Sequence, residues 1–190
     1  MPYEVKMKNI QLETERLLLR EFKATDWKAV HEYARDPDVV RFMEWGPNSA
    51  EESQSFVDMC LDKQREKPRL AFELAVILKN ENALIGAAGM RLNPGNLDTA
   101  DIGYCYNKKY WRQGFAAEAC ARLMRMGFEG LSLYRIWATC DAENEGSAAV
   151  LRKCGMRQEG HFIKERSIKG RRRDTLFFAI LREEWEQKFR

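Results

Sequence analysis

The stretch Lys108-Lys109-Tyr-Trp111-Arg112-Gln113-Gly114-Phe115-Ala116-Ala117 sets a basic loop against small residues at the start of a run of good helix formers. Small residues let backbone approach a ligand closely, and the first N–H groups of a helix have no partner inside it. With the helix dipole added, this is a place for a phosphate. Neither Gly-x4-Gly-Lys-Ser/Thr nor Gly-x-Gly-x-x-Gly occurs here, so the usual nucleotide loops do not account for it. Just upstream, Ile102, Tyr104 and Tyr106 alternate with Asp101, Gly103 and Cys105, the period of an extended strand. A second group follows in Asp141-Ala-Glu-Asn144-Glu-Gly-Ser147. Asn144 and Ser147 are three apart, so on a helix both can face one ligand. By itself the pair also fits simple helix capping.

Trp-Arg-Gln-Gly-Phe-Ala resembles the pyrophosphate loop of the GNAT acetyltransferases, usually Gln/Arg-x-x-Gly-x-Gly/Ala. Gly114 and Ala116 fill the small positions, and Trp111 stands where Gln or Arg is expected. That variant is similar to the branch that acetylates ribosomal-protein amino termini (alanine or serine), which the chain resembles from about Leu12 to Trp185. The Asn144–Ser147 segment resembles the family's second signature, in which an Asn contacts the pantetheine arm and a residue three positions on faces the sulfur. The resemblance implies acetyl-CoA as cosubstrate, held by Tyr104, Cys105, Tyr106, Trp111, Arg112, Gln113, Gly114, Phe115, Ala116, Ala117, Asn144 and Ser147. It also implies a primary amine as acceptor.

The implied reaction is attack of a neutral amine on a thioester. It needs a deprotonated nitrogen, a polarised carbonyl and a tolerable thiolate. Carbonyl polarisation falls to a backbone N–H where the strand around Tyr104 to Tyr106 diverges from its neighbour. Ser147 is the candidate hydrogen-bond donor to sulfur. Asp101 aligns with the position where histone-type members carry a catalytic Glu, and is the candidate base; a polar residue on a solvated strand face is an equal reading. Glu44, Trp45, Tyr104 and Glu159 are the candidate acceptor contacts, because carboxylates and aromatics attract cationic amines. An α-amine of pKa about 8 is roughly one-tenth neutral at pH 7, and a lysine amine near 10.4 about once in 2,500. That gap of about 3 kcal/mol favours a protein N-terminus. A small amine such as a polyamine, amino acid or aminoglycoside is the alternative acceptor. An acyl-CoA-binding module without catalysis is the alternative class.

The elements that must position these residues follow from pattern. Arg16–Phe22 reads as a strand; Thr25 or Asp26 caps a helix burying Trp27, Val30 and Tyr33 and ending before Pro37. Ser49-x-x-Glu52 is a capping box for a second helix, over Phe56, Val57, Cys60 and Leu61. Strands are expected over 70–78 and 83–92, a helix from about Phe115 to Phe128, and a strand over 134–140. A fourth helix stops at Gly155, a closing hairpin spans 156–166 and 174–181, and a short amphipathic tail follows. The order β-α-α-β-β-β-α-β-α-β-β gives an α/β (α+β) domain, residues 1–190. Its central sheet is mixed and mostly antiparallel, of about seven strands, with helices on both faces. The same order is found in GNAT proteins.

Composition bounds the rest. The chain has 190 residues, is 45% hydrophobic, and contains five cysteines with no Cys-x-x-Cys pair, which suits reduced thiols in the cytoplasm. Met1 to Lys8 lacks a signal-peptide core, and no apolar run approaches the about 18 residues of a membrane span. Two distant histidines, His31 and His161, do not suggest a metal site. A net charge of +3 does not point to nucleic acid, although the run from Lys164 to Arg173 could steer an acidic partner or the cofactor's phosphates. Monomer and homodimer both stay open.

Overall fold

The computed structural model describes residues 9–189. The reading of Met1 to Lys8 therefore lies outside the described residues. The strands are β1 (Gln11–Glu13), β2 (Leu17–Glu21), β3 (Ala71–Leu78), β4 (Ala83–Asn93), β5 (Asn96–Tyr106), β6 (Arg135–Asp141), β7 (Arg157–Ile168) and β8 (Arg171–Leu181). The helices are α1 (Trp27–Ala34), α2 (Ala50–Arg65), α3 (Phe115–Arg125), α4 (Glu145–Lys153) and α5 (Arg182–Phe189). They form an α+β fold with one eight-stranded sheet in the order β1-β2-β3-β4-β5-β6-β8-β7. Every pairing is antiparallel except β5 with β6. The eighth strand is the short β1, which pairs Gln11 with Arg20 and Glu13 with Leu18, and was too brief to register as a pattern. The C-terminal tail is the helix α5.

Side-chain alternation divides the sheet between two cores. One face packs Leu17, Leu19, Phe72, Leu74, Met90, Ile102, Ile136 and Phe178 against Cys120, Leu123, Leu151 and Trp185 of α3, α4 and α5. The other packs Ala75, Ile77 and Ala87 against Val30, Tyr33 and Ala34 of α1 and Val57 and Cys60 of α2. β3, Ala-Phe-Glu-Leu-Ala-Val-Ile-Leu, is buried on both faces for most of its length, and Glu73 is its one charge. Hydrophobic burial of this kind is worth about 25 cal/mol per Å², so the pattern fixes the register.

Local chemistry sets the helix ends. Ser49 and Glu52 close the expected capping box on α2, Ser49 Oγ accepting from Glu52 N and Glu52 Oε2 accepting from Ser49 N at 2.7 Å. The expected cap on α1 differs. Ala24–Asp26 is a 3₁₀ turn, and the Asp26 carboxylate accepts from Lys23 N and from both Arg20 Nη atoms instead of capping the helix. α3 passes into a π-helical turn at Met126–Gly130. All five cysteines are free thiols, four of them buried; Cys105 is partly exposed. No described helix is long and apolar enough to cross a membrane.

Candidate active site

Parallel pairing of β5 with β6 runs only from Thr99 with Arg135 to Asp101 with Trp137. Beyond it the strands diverge, as expected near Tyr104 to Tyr106, and α3 and α4 start beside the gap. A cavity of about 830 Å³ opens along this divergence and continues over the α1/α2 face of the sheet. Its walls include Asp101–Cys105 of β5, Trp137–Asp141 of β6, and Asn144, Ser147 and Leu151. Phe42–Trp45 and Glu52, Phe56 and Met59 of α2 line it too, with Arg166, Asp174 and Thr175 of the hairpin.

Asn144 is the N-cap of α4, its Oδ1 accepting from Ser147 N at 3.0 Å, so the capping reading holds. The same residue lines the cavity, and its Nδ2 has no partner among the described residues. Ser147 Oγ lies 2.9 Å from Tyr104 Oη, which also donates to Ser147 O at 3.1 Å. Burial pushes the Tyr104 phenol well up, so it stays a neutral donor. Cys105 lines the cavity with its thiol pushed up to about 12 by burial. Tyr106 turns into the opposite core, its hydroxyl unpartnered.

The loop after β5 has the form of an anion cradle. Gly114 takes φ +83° at the start of α3, a conformation that favours glycine. No side chain caps that end, and the first intrahelical bond is Glu118 N to Gly114 O. The amide hydrogens of Phe115, Ala116 and Ala117 therefore lie at the positive end of the helix dipole. A Cβ built on Gly114 would have Arg16 Nη2 at 3.5 Å and Lys153 Nζ at 3.9 Å, so two cations flank this backbone. These features fit a diphosphate. Sequence reading missed Arg16 and Lys153 because each comes from a distant element. Arg16 is fixed there by Glu118 and Gln113 O, and stacks over Phe115. Trp111 serves the loop itself: its Nε1 donates to Tyr106 O at 2.8 Å, fastening the turn to the end of β5. Gln113 does likewise through Lys109 O, while Arg112 takes φ +60°.

Of the expected acceptor contacts, Glu44, Trp45 and Tyr104 line the cavity, and Glu159 does not. Glu159 is held by Arg135 and Arg157. The hydrogen bond from Arg135, working against burial and reinforced by Arg157, keeps its carboxyl below the usual range, so it is a structural anion. Asp101 lines the cavity but receives Arg91 Nε at 2.9 Å and Nη2 at 2.5 Å. Asp141 is bound to Arg173, and Asp174 accepts from Lys164 N and pairs with His161. The basic run is partly consumed by the fold: Lys169 donates to Val40 O, Arg166 faces Glu44 at 3.6 Å, and Arg173 covers the Phe42 ring. These contacts hold the hairpin over the 42–45 loop.

Glu73 is a lining carboxylate that sequence reading passed over, as it did Asp141 and Asp174, but unlike those two it has no arginine or histidine hydrogen-bonded to it. The available signal was a lone carboxylate inside an apolar strand, where burial of a charge is costly. No cluster of His, Cys, Asp or Glu among the described residues could hold a metal.

A splayed parallel pair, an uncapped helix start and a capped second helix meeting at one gap define an acyl-CoA-dependent transferase. The sequence profile of the acetyltransferase (GNAT) domain matches residues 16–157. YnaD of Bacillus subtilis, an uncharacterized N-acetyltransferase, is 38% identical over 93% of this chain and 99% of its own. A GNAT acetyltransferase of Bacillus anthracis superposes with a TM-score of 0.81 at 36% identity, over 92% of this chain and 99% of that one. The ribosomal-protein-S5-alanine acetyltransferase of Vibrio fischeri shares the fold, with a TM-score of 0.77 at 23% identity over 93% and 99%. The chain belongs to the GNAT family and is an acetyl-CoA-dependent N-acetyltransferase.

Proposed function

We propose that the protein acetylates the α-amine of a protein N-terminus by direct attack on the acetyl thioester. The supporting observation is that one cavity joins the Asn144, Ser147 and Tyr104 corner to a wall carrying Glu44, Glu52, Glu73 and Asp101. The first group suits the pantetheine end of the donor. The second attracts a cation, with Trp45 and Trp137 offering aromatic surface to a peptide chain. In this reading, amide hydrogens following Gly114 grip the diphosphate, and a backbone N–H at the β5 divergence polarises the carbonyl. Tyr104 and Ser147 hydrogen-bond the departing sulfur. A thiol of pKa about 8.5 leaves readily, so this help is modest.

The test is thiol release from acetyl-CoA across a panel of amines at pH 7. N-terminal peptides are expected to outpace free lysine side chains and polyamines, following the about 3 kcal/mol difference in deprotonation, while an aminoglycoside in the panel tests a small amine that lacks that handicap. No turnover with any peptide removes the N-terminal reading, and turnover with a small amine replaces it by the second acceptor class. Binding of acetyl-CoA without thiol release from any amine identifies a binding module.

A further inference from the structure

We infer that Glu73, and not Asp101, is the group that receives the proton of the acceptor amine; this rests on the acetyl-transfer reading above. The register places Glu73, Gly89 and Gly103 in one row across β3, β4 and β5. A Cβ built on Gly89 would lie 2.1 Å from Glu73 Oε2 and 2.5 Å from its Cδ. The carboxylate therefore lies flat on the sheet, over the backbone of Gly89. A Cβ built on Gly103 would meet only Arg91 Nη2, at 3.6 Å. The next strand along thus carries no side chain of its own at this position, only the edge of the Arg91 guanidinium at van der Waals distance, and it adjoins Tyr104 at the divergence. Two glycines in register, one beneath the carboxylate and one beside it, leave room for an amine between Glu73 and the thioester.

Pairing separates the two carboxylates. Asp101 accepts two nitrogens of Arg91, whereas Glu73 has no hydrogen bond among the described residues. The groups facing Glu73 are Arg91 of β4, Asp101 of β5, Tyr33 of α1 and Cys60 of α2. Tyr33 lies well above its ordinary value and Cys60 is pushed up to about 12, both chiefly by burial, so neither is charged near neutrality. Glu44 and Glu52 line the same cavity. Burial raises the Glu73 carboxyl, Arg91 lowers it and Asp101 raises it, with a net upward shift. A raised carboxylate is a better match to an amine than a free one.

The proton balance is simple. R–NH3⁺ enters and gives one proton to Glu73. The freed lone pair forms the C–N bond, the C–S pair departs with sulfur, and the second nitrogen proton passes to that sulfur beside Tyr104 and Ser147. Glu73 then releases its proton to solvent. The sum is ammonium plus thioester to amide, thiol and one proton. Asp101 acts as a positioning residue through Arg91.

The experiment is kcat/KM against pH with one amine throughout, for the wild type, Glu73→Gln, Gly89→Ala and Asp101→Asn, with acetyl-CoA binding followed by calorimetry. The wild type is expected to lose activity as pH falls through a value above the ordinary carboxylate range. Glu73→Gln should lower the rate about 100-fold, abolish that acid limb and leave acetyl-CoA binding unchanged. Gly89→Ala, whose new methyl must displace a flexible carboxylate, should fall in the same direction even if Glu73→Gln proves unstable. Asp101→Asn should keep the limb but move it to lower pH, because an anion that raises Glu73 is gone and Arg91 is freed. Retention of the wild-type limb in Glu73→Gln or, if that variant does not fold, an unchanged rate in Gly89→Ala overturns the assignment while transfer itself stands. Absence of wild-type turnover with every amine overturns the transfer reading and this assignment together.

Discussion

Tyr104 shows how one side chain acquires a role from its neighbours. On β5 it alternates into the α3/α4 side of the sheet, and the divergence from β6 lets its hydroxyl reach Ser147 on α4. Because burial holds the phenol neutral far above physiological pH, it donates without competing as a base. Tyr104→Phe is expected to lower kcat about tenfold, equivalent to about 1.4 kcal/mol of transition-state stabilisation. The KM for acetyl-CoA should change little, which steady-state kinetics would read. An unchanged kcat would assign the Tyr104–Ser147 contact to packing alone.

Among the elements, the start of α3 and the start of α2 make a contrast. α2 satisfies its own end with Ser49 and Glu52, whereas α3 leaves its first amides without a side-chain cap behind a left-handed Gly114. Ser49→Ala is expected to cost about 1 kcal/mol of stability, read by denaturant unfolding, with acetyl transfer unaffected. Gly114→Ala forces a Cβ into a left-handed backbone at about 1–2 kcal/mol. Its main effect should be on donor binding: calorimetry is expected to find acetyl-CoA affinity reduced at least tenfold. Equal affinity in that variant would mean that the diphosphate is held elsewhere.

Across the whole molecule, the C-terminal helix closes the core from the far side. Trp185 is 3% exposed and packs its ring 5.3 Å from Phe128, Arg182 donates to Leu133 O, and Lys188 donates to Gly155 O. These tie α5 to the turn after α3 and to the end of α4, the two helices that flank the cofactor corner. Trp185→Ala is expected to cost about 3–5 kcal/mol, the range for truncating a buried aromatic. Chemical denaturation would measure it, and a loss below about 1 kcal/mol would mean that α5 is an accessory.

The sequence by itself determined the order of the major elements, the capped start of α2, the glycine turn into α3 and the pairing of Asn144 with Ser147 on one helix. These are local features, set by side-chain period, capping chemistry and the backbone freedom of one glycine. Tertiary structure decided everything that depends on which strands lie side by side. It moved Glu159 into an arginine cluster, engaged Asp101 with Arg91 from the neighbouring strand, and brought Arg16 and Lys153 to the same turn. It also laid Glu73 across Gly89, residues 16 positions apart that meet only through antiparallel pairing. Register is a cooperative property of the sheet, so the charge partner of a strand residue cannot be read from its own segment.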